Sequence, residues 1–423
     1  MSAASIGGEY TGEILAPINQ ALENSWVRTL TPEKDENLQR ARKLSNLPDT
    51  DDNRNKRRVF NGHFVRVSPT GLPNPRMVMY SKDVAKNLLK MTRAQVESDD
   101  FLQLVSGNST LQETWATPYA LAIMGEQYTN NCPFGTGDGY GDGRAISIGE
   151  LYGQELQLKG AGKTPFHRGA DGRAVLRSSV REFLASEAMH WLGVPTTRAL
   201  SLVVSETETV QRPWYSESSV LKIPDMDDPR LAHFSPEQRR GMIRSMRNQK
   251  ADPNILISES CAITCRVAPS FTRIGHLDLF ARRATSILKN SKPPAASADD
   301  DDGNKMEVDS KSSSEPQFDT STLQWKELED MLWHACYREY HKEAYDPFFE
   351  KKDIASAAQV FLERSADKIS SMIGHWIRVG FTQGNFNADN CLVGGYTMDY
   401  GPFVSVDLLL RSLHCFLFLE VKF

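Results

Sequence analysis

The sequence predicts an α+β chain of two lobes, and three observations carry that expectation. Two short strand patterns, AISIG and ELQLKG, meet at Tyr152-Gly153. An amphipathic helix pattern, SSVREFLASEAMHWLG, follows them across a polar loop. Helical texture then gives way at 380–403 to a loop-rich stretch, GFTQGNFNADNCLVGGYTMDYGPF.

Composition sets the outer bounds. The chain has 423 residues, 40% hydrophobic and 24% charged, enough for sizeable cores and ordinary for a soluble globular protein. A formal charge of -5 argues against a dedicated nucleic-acid binder and still allows a local basic pocket. The six cysteines form no CxxC pair, and Cys261 and Cys265 lack His or Cys partners nearby. Buried or free thiols in a reducing compartment are expected rather than a zinc site or disulfides. No signal peptide is visible. Glu9, Glu13 and Glu23 precede the first arginine, Arg28, which makes a poor mitochondrial transit peptide. No apolar run reaches the ~18 residues that a membrane helix needs. Leu408 to Phe423 comes nearest, interrupted by Arg411, His414, Glu420 and Lys422.

Along the chain, residues 1–57 are polar and read as an extension with at most one helix. Globular texture begins near 58, with VFNGHFVRVSPTGLPNP, and runs to 289. Residues 290–317 lack aromatics and are rich in Ser, Asp, Lys and Pro, so they read as a disordered acidic linker. Globular texture resumes over 318–403, where Leu328, Met331, Leu332 and Cys336 share one helical face. An apolar tail, 404–423, closes the chain.

The chemistry starts in the Gly-rich stretch 135–144, GTGDGYGDGR. Five glycines in ten residues allow close backbone approach and N–H groups aimed at an anion. The strand pair after it ends in Lys159. A Gly-rich segment followed by a strand lysine is how protein kinases hold ATP phosphates. No GK[ST] ends it, so it is not a Walker A loop. Lys159 is either that phosphate lysine or an ordinary strand lysine. In the next helix Val180, Phe183, Leu184, Ala188, Trp191 and Leu192 fall on one face. Glu182 either pairs with Lys159, as a kinase C-helix glutamate does, or closes a capping box with Ser179. Glu187 is a second candidate. The loop between strand and helix adds Asp171 and Gly172, a turn placed beside the lysine.

Arg266 and Arg273 lie in CRVAPSFTRIG among apolar neighbours. Buried arginines need anions, either a structural carboxylate or a triphosphate. Asn390 and Asp399, the latter in Asp399-Tyr400-Gly401, have the order of a kinase's magnesium ligands. The kinase catalytic Asp would stand at Asn385, which is a poor proton acceptor. Phosphoryl transfer to a protein hydroxyl is therefore disfavoured, and Asp389 is the carboxylate left to serve.

Taken together, LKGAGKTPFHRGADGRAVLRSSVREFLASEAMHWLGVPTTRAL, RVAPSFTRIG, VSPTGLPNPRMVMYS and FNADN…TMDYGPF closely resemble the selenoprotein O family of protein adenylyltransferases. The resemblance covers about 58 to Phe403. It implies a protein-kinase-like (pseudokinase) two-lobe fold that binds ATP in a flipped orientation. It also implies Mg²⁺-dependent transfer of AMP to Ser, Thr or Tyr hydroxyls of protein substrates. On that resemblance Gly141, Gly143, Arg144, Lys159, Asp171, Gly172, Arg266, Arg273 and Asp399 would contact ATP. Glu182 would pair with Lys159, Asp389 would accept the proton, and Asn390 and Asp399 would hold Mg²⁺. An ATP-binding scaffold without transferase activity and a phosphate-transferring kinase are the alternatives. Two departures stand out: GEQYTNNCPFGTGDGY replaces a GGHQFG-like stretch, and the tail after Phe403 is unlike the family. The expectation is a C-terminal lobe left incomplete by an aberrant or truncated reading frame. Eukaryotic members of the family suggest mitochondria, and the N-terminus favours the cytoplasm. No nucleic-acid partner or membrane span is expected.

Overall fold

A computed structural model describes residues 13–44, 46, 53–216, 223–247, 253–291 and 319–401. Its first elements are α1 (Ala16–Ala21), β1 (Leu22–Glu23), α2 (Ser25–Thr29), α3 (Asp35–Leu44), β2 (Val65–Arg66) and β3 (Pro75–Tyr80). Next come α4 (Arg93–Val96), α5 (Asp99–Val105), β4 (Trp115–Ala116), β5 (Ala122–Ile123), β6 (Glu126–Gln127), β7 (Ala145–Leu151), β8 (Gln154–Lys159) and β9 (Ala174–Val175). Then follow α6 (Leu176–Trp191), β10 (Arg198–Trp214), α7 (Pro236–Arg247), β11 (Ile255–Ala268), α8 (Ile274–Ser291), α9 (Leu323–Glu339) and α10 (Ile354–Val379). The architecture is mixed α+β around one large antiparallel sheet. Its order is β2-β4-β7-β8-β11-β10-β3, with β1 added to β7 and β9 to β11.

The expected strand pair forms a hairpin, with Ala145 opposite Lys159 and Leu151 opposite Gln154. Tyr152 and Gly153 both take positive φ, 51° and 76°. Two left-handed residues make the turn whose twist matches paired strands. β8 then pairs with β11, placing Gln157 opposite Arg266 and Lys159 opposite Thr264. The two cations therefore come from adjacent strands of a sheet buried on its inner side.

α6 leaves β9 and packs on β10 and β11. Its helix starts at Leu176 with Val175 as N-cap, so Ser179 and Glu182 lie inside it and form no capping box. The apolar face expected for it also needs correction. Leu184, Trp191 and Leu192 are exposed, and the buried face is Ser179, Glu182, Phe183, Ser186 and Met189. That face keeps helical spacing; Glu182 meets Lys159 and Arg266 across it, and Ser186 Oγ donates back to Phe183 O within the helix at 3.0 Å.

The N-terminal stretch differs from a polar extension. Leu15, Ile18 and Leu22 join the main core, while Trp26 and Leu30 pack with Phe64, Trp115, Phe280 and Met331. β1 pairs with β7, and Ser25 N and Oγ donate to Glu150 Oε1 at 3.0 and 2.6 Å. Arg338 of α9 holds the other oxygen of Glu150 at 2.5 Å. Residues 13–30 thus strap the sheet to the later helices. On α9, Met331, Leu332 and Cys336 are buried as their spacing requires. α8 and α9 pack together. The acidic linker was expected over 290–317, but α8 continues through Ser291; the remainder, 292–317, lies outside the described residues, as does the apolar tail 404–423. Cys132, Cys261, Cys265, Cys336 and Cys391 are free and buried. Among the described residues no helix is long and apolar enough to cross a membrane.

Candidate active site

A cavity of about 560 Å³ opens where the Gly-rich segment, β8, β11, the loop after β8 and the loop 384–399 converge. Gly141, Gly143, Arg144, Lys159, Asp171, Gly172, Arg266, Arg273, Asp389, Asn390 and Asp399 all line it. Glu182 stands behind them. Cationic side chains on the lining outnumber carboxylates, seven to four. Such a surface favours a polyanion.

Lys159 is the hub. Its Nζ lies 2.5 Å from Glu182 Oε2 and 3.8 Å from Asp399 Oδ1. Arg266 approaches Glu182 Oε1 at 3.7 Å and also donates to Gln157. Burial, then the charge of Arg266, holds the Lys159 pKa down, against the pull of Glu182. Burial pushes Glu182 up, but Lys159 and Arg266 outweigh it and leave its pKa below the usual range. Both groups move down for different reasons: burial leads for the lysine, whereas nearby cations stabilise the carboxylate. Glu187, the second candidate, is elsewhere. It holds Arg198 at 2.7 Å and accepts from Ser81 at 2.8 Å.

The second charged centre was only half visible in the sequence. Arg273 Nη1 sits 2.7 Å from Asp142 Oδ1, and its Nε is 3.4 Å from Asp389 Oδ1. Asp142 also accepts from Thr117 N at 3.1 Å and Thr117 Oγ1 at 2.5 Å. Thr117 in turn meets His276 Nε2 at 2.9 Å. Burial and the charge of Arg273 push the His276 pKa down to about 3. Asp142 lies inside the GDGR run, between two glycines singled out for their backbones. Its signal was the carboxylate itself, which a purely backbone reading of the run passes over. Burial raises the Asp389 pKa; Arg273 opposes that and Asp142 adds to it, leaving a net rise.

The loops are built to hold these groups. Gly172 has φ 76°, and a Cβ there would lie 2.3 Å from the Gly162 carbonyl carbon. Gly162 N donates to Gly172 O at 3.1 Å, locking the two loops. Asp171 accepts from Arg173 N at 2.9 Å and pairs with Arg212 at 2.6 Å. Arg212 comes from β10, far away in sequence, and lines the cavity too. Arg144 donates to Arg173 O at 3.2 Å.

The 384–399 loop folds on its own asparagines. Asn387 Oδ1 accepts from Asp389 N at 2.9 Å and Asn390 N at 3.2 Å. Asn390 Nδ2 donates to Asn385 O at 2.8 Å, which leaves its Oδ1 as the atom able to coordinate. Asn385, at the kinase base position, accepts that bond through its backbone and a second, from Asn387 Nδ2 at 3.0 Å, through its Oδ1. Gln383 donates to Asp399 O at 2.6 Å. Among the described residues no group of three or more His, Cys, Asp or Glu gathers to hold a metal unaided. Asn390 and Asp399 offer two hard oxygen donors on one wall, a set that suits Mg²⁺ when phosphates and water complete its shell.

Comparison with known proteins bears on this geometry. The family model described as "Protein adenylyltransferase SelO" matches residues 54–224 and 245–410. A protein nucleotidyltransferase YdiU of Azoarcus sp. (strain BH72) is 35% identical over 356 residues, 83% of this chain and 51% of that relative. The YdiU of Flavobacterium johnsoniae is 34% identical over 351 residues, 82% of this chain and 50% of the relative. That of Xylella fastidiosa is 34% identical over 350 residues, 81% and 50% respectively. The chain spans about half the length of the curated relatives it matches.

Proposed function

The chain belongs to the SelO family, and on that premise we propose that it is a Mg²⁺-dependent protein adenylyltransferase with a protein-kinase-like site. It would transfer AMP from ATP to Ser, Thr or Tyr hydroxyls of protein substrates. The observation that supports this best is the sorting of charge around one cavity. Lys159, Arg266 and Arg144 collect near Glu182 and Asp399, whereas Asp389 stands with Arg273.

In this reading Lys159, Arg144, Arg266 and Arg273 bind the triphosphate, with Asp171, Gly172, Gly141 and Gly143 shaping the contact around it. Asn390 and Asp399 would hold Mg²⁺, which when bound offsets charge on the phosphates. Asp389 orients the acceptor hydroxyl and takes its proton as the oxygen attacks the α-phosphorus and pyrophosphate departs. Burial raises its pKa above that of an ordinary aspartate, which makes it the stronger base. Asn385 has no carboxylate to perform that step from the kinase position.

Incubation with radioactive ATP labelled at the α- or the γ-phosphate tests the reading. Label retained on protein from α only supports AMP transfer. Label from γ only indicates a kinase, and none from either indicates a binding module.

A further inference from the structure

The cations of the cavity region fall into two sets. Lys159, Arg266 and Arg273 face carboxylates within the wall. A second set stands at the mouth without such partners. Lys56, Lys163 and Arg168 are exposed, and His167 between them is half-buried. Among the described residues none of Lys56, Lys163 and Arg168 forms an ion pair. Burial, then the charges of Lys163 and Lys56, holds the His167 imidazole below its ordinary pKa. Geometry puts both lysines at this edge: Thr164, next to Lys163, donates to Asp142 O at 2.5 Å, and Arg58, two residues after Lys56, lies 5.0 Å from the Phe134 ring that packs with Tyr140.

Arg168 is the member that enters the cavity. It lines the same space as Asp389, and its guanidinium lies 5.4 Å from the centre of the Tyr140 ring. Asp389 and Tyr119 both feel its charge. The groups acting most strongly on Lys159 are instead Glu182, Arg266, Asp399 and Arg144. Tyr140, under Arg168, accepts from Tyr119 N at 3.3 Å, and Arg273, which pairs with Asp389, lies 4.8 Å from the Tyr119 ring, so Arg168 belongs to the Asp389 side. Its backbone φ is 53°, a left-handed conformation that residues other than glycine seldom adopt. A strained, exposed, uncompensated cation at a cavity mouth is a candidate for ligand contact.

We propose that Arg168, with Lys56 and Lys163 beside it, receives acidic residues flanking the acceptor hydroxyl of the protein substrate. This rests on the reading of Asp389 as the acceptor-side base. The buried cations suit a small nucleotide that enters the wall. The exposed ones suit a macromolecule that stays outside it. A guanidinium can grip one carboxylate through two parallel N–H donors, and the lysines add point charges along the approach. The whole chain carries -5, so the mouth would draw acidic segments by local field rather than net charge.

The test uses two synthetic peptides, a serine flanked by glutamates and the same serine flanked by lysines. Binding is read by fluorescence anisotropy and AMP transfer by α-labelled ATP. The proposal expects the Glu-flanked peptide to bind and react at least about tenfold better, a difference near 1.4 kcal/mol. Arg168→Gln should raise its KM about tenfold, more than it changes ATP affinity, and Lys56→Glu/Lys163→Glu should weaken it further. Unchanged thermal melts of these surface variants would show that they fold. Equal use of the two peptides, or a preference unmoved in both variants, overturns the proposal. So does an RNA oligonucleotide that displaces the Glu-flanked peptide at equal charge concentration. Arg168-dependent binding without AMP transfer would uphold the docking surface and refute the transferase reading. Transfer without glutamate preference would do the reverse.

Discussion

At the residue scale the site is a set of buried charges whose partners decide their state. Asp389 carries the clearest expectation for catalysis. Asp389→Asn should lower kcat by about 10²–10⁴, the usual worth of a positioned base, with little change in ATP affinity. Retention of full turnover would remove it from the role. Asp142 makes a stability prediction. Burial raises its pKa, but Arg273, Thr117 and His276 outweigh that and leave it below 3.8. A depressed carboxylate pKa contributes stability above the unfolded value, and that stability is lost as pH falls through the folded value. Asp142→Asn should therefore flatten the stability curve on the acid side, in urea melts taken between about pH 2 and pH 5. It should also cost about 3 kcal/mol near neutral pH, because Arg273 keeps only Asp389. An acid limb as steep as the wild type's would refute the pairing. Lys159, Glu182, Arg266 and Arg273 were legible from residue type and order. Asp142 and Arg212 were not, because their partners come from other elements.

Among elements, the hairpin β7–β8 and the helix α6 were readable because each is specified locally. A two-residue turn joins the strands, and an apolar period of three to four marks the helix. Spacing alone does not choose the buried face of α6, because apolar residues also sit on its solvent side. The sheet behind it, with Glu182 reaching Lys159, chose the face instead. The loop joining these elements should tolerate little change. Gly172→Ala would place a Cβ 2.3 Å from Gly162 and force a positive φ on alanine. A loss of more than about 1 kcal/mol in unfolding free energy is expected, with weaker ATP binding by calorimetry. Unaltered values for both would count against the locked loop. The N-terminal strap makes a parallel case. Trp26 is 1% exposed, so Trp26→Ala should cost about 3–5 kcal/mol in chemical denaturation. A variant of wild-type stability would return the stretch to an extension.

For the whole molecule, the binding of a highly charged ligand and stability are linked. ATP bound at about 100 times its Kd should stabilise the fold by about 2.7 kcal/mol, raising the melting temperature. With cations in excess on the lining, the affinity should fall as salt rises from about 50 to 500 mM, since the mouth is open to screening. A Kd indifferent to salt would argue that the excess charge is already compensated inside the protein.

By itself the sequence determined which chemical groups are present, the local turn and helix that carry several of them, and a family resemblance dense enough to order the motifs. Only the tertiary structure decided their pairing. Lys159 meets Glu182 across a strand and a helix, Arg273 lies between Asp142 and Asp389, and Arg168 pairs with no carboxylate among the described residues. The division has a physical reason: backbone preference acts over a few residues, whereas a buried charge takes whichever partner the packed elements bring within about 4 Å.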